Sequence, residues 1–203
     1  MNNIGAILKK KPYLNLIFMI KLITLLLTFN LIFQSTLLAK DKEIELLQEG
    51  GKVVFIRHAY APGGGDPINF VIDDCNTQRN LNEQGINQSY TIGAIFHKNQ
   101  IPIDRVLSSQ WCRCLDTANF AFGNFESWNA LNSTFSEPFR KNHNEQISEL
   151  REFLTHWDDS KGNLILITHY VIIEGALNYY SSSGEIVITN KYLEVLGNIK
   201  TKY

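Results

Sequence analysis

Residues 53–59 read Val53-Val54-Phe55-Ile56-Arg57-His58-Ala59, an apolar and mostly β-branched run that stops on two cationic side chains. A short run of this kind, bounded by turn chemistry, is the pattern of a buried strand. Two distant stretches repeat the arrangement. Leu107-Ser108-Ser109-Gln110-Trp111-Cys112-Arg113 and Leu164-Ile165-Leu166-Ile167-Thr168-His169-Tyr170 each put a cation at a strand end or at the start of the next helix. Open α/β sheets bind their ligands at the carboxyl ends of the strands, so Arg57, His58, Arg113 and His169 should meet in one pocket.

The segments between these stretches alternate in character, which points to an α/β layered fold with a largely parallel sheet. Residues 61–79 form a long loop rich in glycine, proline and aspartate, a length that usually serves function. Its Gly63-Gly64-Gly65 run reads as flexible chain, with a phosphate cradle as the alternative. From Asn82, a capping residue, the spacing predicts a helix with Ile86, Tyr90, Gly93 and His97 along one stripe, widened by Ile92, Ile95 and Phe96. Residues 104–107 predict a second strand. After it comes a helix capped by Ser109, with an apolar face of Trp111, Leu115, Ala118 and Phe122 and Arg113 in its first turn. A short strand is expected at Trp128 to Leu131, and a helix from Asn144 to Trp157. The strand from Leu164 to Thr168 runs into a further helix, and a last strand follows at Glu185 to Thr189.

The first 39 of the 203 residues contain no acid and four lysines, Lys9, Lys10, Lys11 and Lys21, followed by an apolar run from Leu22 to Ala39. This is the layout of a secretory leader cleaved after Ala39. An uncleaved membrane anchor is the alternative, because Leu37 stands where a small residue is usual and roughly 20 apolar residues span a bilayer. In both cases residues 40–203 are expected outside the cytoplasm as one domain. That domain carries 15 basic and 20 acidic residues, a formal charge of −5, which excludes general nucleic-acid binding through a basic face. Of the three cysteines, Cys112 and Cys114 would diverge on a helix, so a bridge from Cys75 to one of them is expected. A zinc set built on Cys112 and Cys114 fits poorly, because the arginine between them suits an anion better than a cation.

Two arginines beside two histidines are suited to a phosphoryl group. A guanidinium fork bonds two oxygens at once and keeps its charge, and a neutral imidazole whose tautomer is fixed is a nucleophile near pH 7. The residues resemble the histidine phosphatase superfamily, also called phosphoglycerate mutase-like. Its Arg-His-Gly signature stands here as Arg57-His58-Ala59, and its Leu-x-x-x-Gly-x-x-Gln segment spans Leu81 to Gln88. The Ser-Ser-x-x-x-Arg-x-x-x-Thr-Ala element runs from Ser108 to Ala118, and the late Thr-His is Thr168-His169. The resemblance covers residues 52 to about 189. It implies a three-layer α/β/α sandwich and a small branch-one phosphatase acting on a small phosphorylated substrate. His58 would form a phosphohistidine, with Arg57, Arg113 and His169 holding the phosphoryl group and no metal or organic cofactor.

Two positions depart from the pattern. Ala59 replaces glycine, a change of little effect unless the backbone there needs a positive φ. Ser133 stands where many members carry the glutamate that protonates the leaving group, and a hydroxyl is no substitute for a carboxylic acid. Glu137, Asp66, Asp73 and Asp74 are the candidate replacements. Lacking any of these, the enzyme would favour substrates with good leaving groups, and a relative that binds a phosphorylated ligand without turnover is the second reading.

Overall fold

The computed structural model describes residues 19–24 and 42–202. The chain divides into two units, Met1–Lys42 and Glu43–Tyr203. In the first, residues 19–24 are helical and exposed, and the Thr24 hydroxyl donates to the Ile20 and Lys21 carbonyls. The rest of the expected leader or anchor, on both sides of this helix, lies outside the described residues, among which no helix is long and apolar enough to cross a membrane.

The second unit is built on six strands, β1 (Val53–Arg57), β2 (Ile103–Ser108), β3 (Glu126–Ser127), β4 (Asn163–Thr168), β5 (Ile186–Thr189) and β6 (Val195–Ile199). They lie in the order β3-β2-β4-β1-β5-β6. The pairings β3-β2, β2-β4 and β4-β1 are parallel, and β1-β5 and β5-β6 are antiparallel. Central strands buried on both faces read as unbroken apolar runs, which is why β1 and β4 stand out in the sequence. Their side chains alternate across the sheet. Val54, Ile56, Ile165 and Ile167 enter one core layer with Ile92, Phe96, Trp111 and Ala118, while Val53, Phe55, Leu164 and Leu166 enter the other with Leu131, Leu150, Leu154 and Ile173. Helices cover both layers: α1 (residues 42–48), α2 (Glu83–Lys98) and α3 (Cys112–Phe122) on one face, α4 (His143–His156) and α5 (Tyr170–Leu177) on the other. The three-layer α/β/α sandwich with a mostly parallel sheet is the architecture expected.

Three local readings are corrected. The α2 helix starts as expected, with Asn82 Oδ1 accepting from the Gly85 N–H, but its buried face is Gly85, Gln88, Ser89, Ile92 and Phe96, and Tyr90 is exposed. Buried polar residues disguised that face: Ser89 Oγ donates to the Gly85 carbonyl, and Gln88 joins the Tyr60 N–H to the Ser183 and Thr201 carbonyls. A Cβ at Gly85 would collide with the Tyr60 carbonyl, so glycine lets α2 reach the loop that follows β1. The strand expected at Trp128 to Leu131 is instead β3 followed by a 3₁₀ turn over Asn129–Leu131, which puts Leu131 in the core. The last strand is β6 rather than β5. It lies at the sheet edge, where Gly197 and Asn198 dilute the apolar pattern.

Candidate active site

Adjacent parallel strands end together, so the residues that follow β2, β4 and β1 converge. The His58 N–H donates to the Thr168 carbonyl at 2.9 Å and the Ser109 N–H to the Ile167 carbonyl at 2.9 Å. These bonds tie the residues next to the cations to β4. Arg57, His58, Arg113 and His169 all line one pocket of about 230 Å³, together with Gly63, Gly64, Gly65, Asp66, Arg79, Ser133, Phe135 and Tyr170. The four residues expected to meet therefore line one pocket. Arg113 lies in the first turn of α3, as expected, but Trp111 rather than Ser109 occupies the cap position.

His58 is 2% exposed, and its ring centroid is 5.4 Å from that of His169. Its Nδ1 lies 2.8 Å from the Ala59 carbonyl. A carbonyl only accepts, so Nδ1 carries the proton and Nε2 keeps its lone pair in the neutral ring. Burial, reinforced by the positive charge of Arg113, holds the His58 pKa well below 6.5, so the imidazole is neutral near pH 7. His58 thus combines a fixed tautomer with an unprotonated nitrogen. Ala59 donates its N–H to Thr117 Oγ1 at 3.0 Å and has no positive φ, so the missing glycine costs the backbone nothing.

His169 is held the other way round. Ser109 Oγ donates to Asn132 Oδ1 at 3.1 Å, so at 2.9 Å from His169 Nε2 it accepts a hydrogen bond from the N–H of that nitrogen. Nδ1 is then the acceptor, 3.4 Å from Arg113 Nη2. Burial and Arg113 also push the His169 pKa well below 6.5. For Nδ1 to donate to an anion it must first gain a proton, which a bound negative charge favours.

Arg113, 3% exposed, pairs with Asp66, whose side chain is 6% exposed: Nη1 to Oδ1 at 2.8 Å and Nη2 to Oδ2 at 3.1 Å. Arg57 donates to the Ser181 carbonyl at 2.8 Å and lies over the Tyr170 ring at 5.3 Å. Arg79 is the functional candidate the sequence reading missed. It donates to the Ala61 carbonyl, and its only sequence signal is a cation at the end of the long loop. Burial, with Arg113 nearby, lowers the pKa of both Arg57 and Arg79. The buried Nε–H groups of Arg57, Arg79 and Arg113 have no hydrogen-bond partner among the described residues. Buried donors are almost always paired, so three orphans on one pocket mark a place where an anion's oxygens would be bonded.

The candidate acids separate clearly. Glu137 is 71% exposed and pairs with Arg140, and Asp73 and Asp74 are exposed, with Asp74 capping the 3₁₀ turn Cys75–Thr77. None of these lines the pocket; of the four, Asp66 alone does. Ser133 lines it too, 6% exposed, and brings no carboxyl. The cysteine pairing left open by sequence is Cys75 with Cys112, and Cys114 is a buried free thiol.

No protein-family model and no curated protein matches the chain. Solved structures do. The protein TTHB049 from Thermus thermophilus is 14% identical over 73% of this chain and 98% of that one, with a TM-score of 0.52. The protein histidine phosphatase SixA, solved with tungstate, is 14% identical over 74% of this chain and 96% of that one, at a TM-score of 0.49. A phosphoserine phosphatase from Entamoeba histolytica in complex with 3-phosphoglyceric acid is 11% identical over 75% and 96%, also at 0.49. At such identities the likeness is one of fold, the phosphoglycerate mutase-like α/β fold.

Proposed function

We propose that the protein is a phosphohydrolase of the histidine phosphatase superfamily, of the small branch-one type, working through a covalent phosphohistidine on His58. The observation that carries this reading is the set of three unpartnered arginine Nε–H groups around a buried, neutral histidine whose Nε2 lone pair is free. Arg57, Arg79 and Arg113 bond the phosphoryl oxygens and neutralise the charge spread over them. His58 Nε2 attacks phosphorus, and the P–O or P–N bond to the leaving group breaks, its electron pair departing with that group. Water then attacks the phosphohistidine, the P–N bond breaks, and His58 and inorganic phosphate are regenerated. His169 supplies a further hydrogen bond once it takes up a proton, which the charge of the bound anion favours.

The substrate follows from what the pocket lacks. Asp66 is saturated by donors and Ser133 has no carboxyl, so the leaving group receives no proton from a carboxylic acid. Phosphohistidine, aryl or anhydride-linked phosphates are therefore favoured over simple alkyl esters. A volume of about 230 Å³, below the range of about 300–1,000 Å³ of pockets that enclose drug-sized ligands, admits the phosphoryl group and a small leaving group. Residues 1–39 act as leader or anchor and residues 40–203 work outside the cytoplasm. The Cys75–Cys112 bridge supports that address, since disulfides persist in oxidising compartments.

The test is turnover of an activated aryl phosphate between pH 4 and 8. It should be lost by at least about 10³-fold in His58→Ala, the scale on which nucleophile deletions act. Phosphate bound without turnover would instead favour the second reading, a binding protein, for which the missing acid is the motivating observation.

A further inference from the structure

Asp66 is the one acidic side chain lining the pocket among the described residues, and its four acceptor positions are all filled. Besides the two Arg113 nitrogens, Trp111 Nε1 donates to Oδ2 at 3.1 Å and the Arg79 backbone N–H to Oδ1 at 3.0 Å. A carboxylate bonded by four N–H groups acts as an acceptor and brings no proton to a leaving group. Its role lies in what it does to Arg113. A guanidinium offers two edges that can grip an anion. Asp66 takes the end edge, Nη1 with Nη2. The side edge, Nε–H with the other Nη2 proton, carries only the 3.4 Å contact with His169 Nδ1, and the Nε–H itself has no partner among the described residues.

Two observations argue that Asp66 is a fixture and not a plug that a ligand displaces. Moving it would strand the Trp111 and Arg79 N–H groups, both held by this carboxylate. Its loop is also fastened beside Arg113, by the Cys75–Cys112 disulfide and by Gln78 Oε1, which accepts from the Cys112 N–H. Charge points the same way. With His169 neutral, as in the unliganded pocket, three guanidiniums less one carboxylate leave two positive charges around the pocket, the complement of a phosphate dianion.

We propose that Asp66 is a positioning residue, which presents the side edge of Arg113 to the phosphoryl group and trims the pocket's charge to match a dianion. The proposal rests on the phosphate-binding reading above. It is tested by a double-mutant cycle on the full chain with Asp66→Asn, Arg113→Lys and the pair, reading kcat for an aryl phosphate and the calorimetric Kd for inorganic phosphate. Asp66→Asn should lower kcat and raise Kd roughly tenfold or more, as loss of an orienting partner does elsewhere. In the Arg113→Lys background, which has no fork to orient, the same change should cost nothing further. A tighter Kd in Asp66→Asn would make Asp66 a plug, and a full additive loss in the pair would make it merely structural; either overturns the proposal. Should Asp66→Asn fail to fold, Asp66→Glu, which keeps the charge and shifts the carboxylate by one methylene, carries the same cycle. Phosphate binding without turnover by the unmutated protein would refute the hydrolase while the Kd cycle still reads Asp66. Absence of phosphate binding would refute both.

Discussion

His58 and His169 are buried bases that the fold keeps neutral, and this links their chemistry to stability. In the folded protein both pKa values lie well below 6.5, the value of an unfolded histidine. Between those limits the unfolded chain therefore binds more protons, and stability rises with pH. Acidification below pH 6.5 should lower the thermal midpoint, and the fall should be smaller in His58→Ala; a midpoint indifferent to pH from 7 to 5 would contradict the burial argument. Activity should behave differently from that of a solvent-exposed histidine. Because His58 stays neutral, kcat/KM should show no inflection at 6.5 and should decline only at lower pH, which a pH–rate profile measures directly. These residues were legible because each histidine closes an apolar run with the length and composition of a strand. Asp66 was not separable from Glu137, Asp73 and Asp74, because its partners lie at Arg79, Trp111 and Arg113 and no local pattern links them. Arg79 escaped for the same reason: it is brought to the pocket by a loop, and loops have no period to read.

The loop of residues 61–79 and the first turn of α3 are one element in function, though the whole of α2 and β2 separates them in sequence. Cys75 is exposed while Cys112 is buried at the start of α3. The bridge spans 37 residues of sequence, and closing a loop of that size stabilises by about 2 to 4 kcal/mol through the unfolded state. Reduction should lower the denaturation midpoint accordingly, and a midpoint equal in oxidised and reduced protein would remove the bridge from any structural role. The helix α2 shows how far periodicity reaches. Its start and its Asn82 cap were readable, whereas its buried face was not, since Gln88 and Ser89 are polar in sequence, Gln88 finding its partners elsewhere in the fold and Ser89 one turn back at the Gly85 carbonyl.

Across the whole molecule, the sheet sorts residues into two cores whose named members run from Ile44 to Ile199. A chain beginning at Lys40 should therefore keep the thermal midpoint of the full one and the aryl-phosphate turnover proposed for it; loss of folding on that truncation would assign the first 39 residues a structural part. The layered architecture followed from the apolar runs of β1 and β4 and the alternation of segments around them, but β6 and its antiparallel pairing with β5 did not, since a half-exposed edge strand carries only a weak apolar signal. The same packing has a consequence for the chemistry of sulfur. Cys114 lies two residues from the bridged Cys112, fully buried against His169 Nε2 at 3.4 Å, and burial raises its thiol pKa to about 12. Thiol exchange proceeds through the thiolate, so the native fold denies its third cysteine the one form that could attack the bridge. Scrambling into Cys75–Cys114 is thereby confined to chains that have not yet folded, and the fold itself acts as guardian of its own pairing.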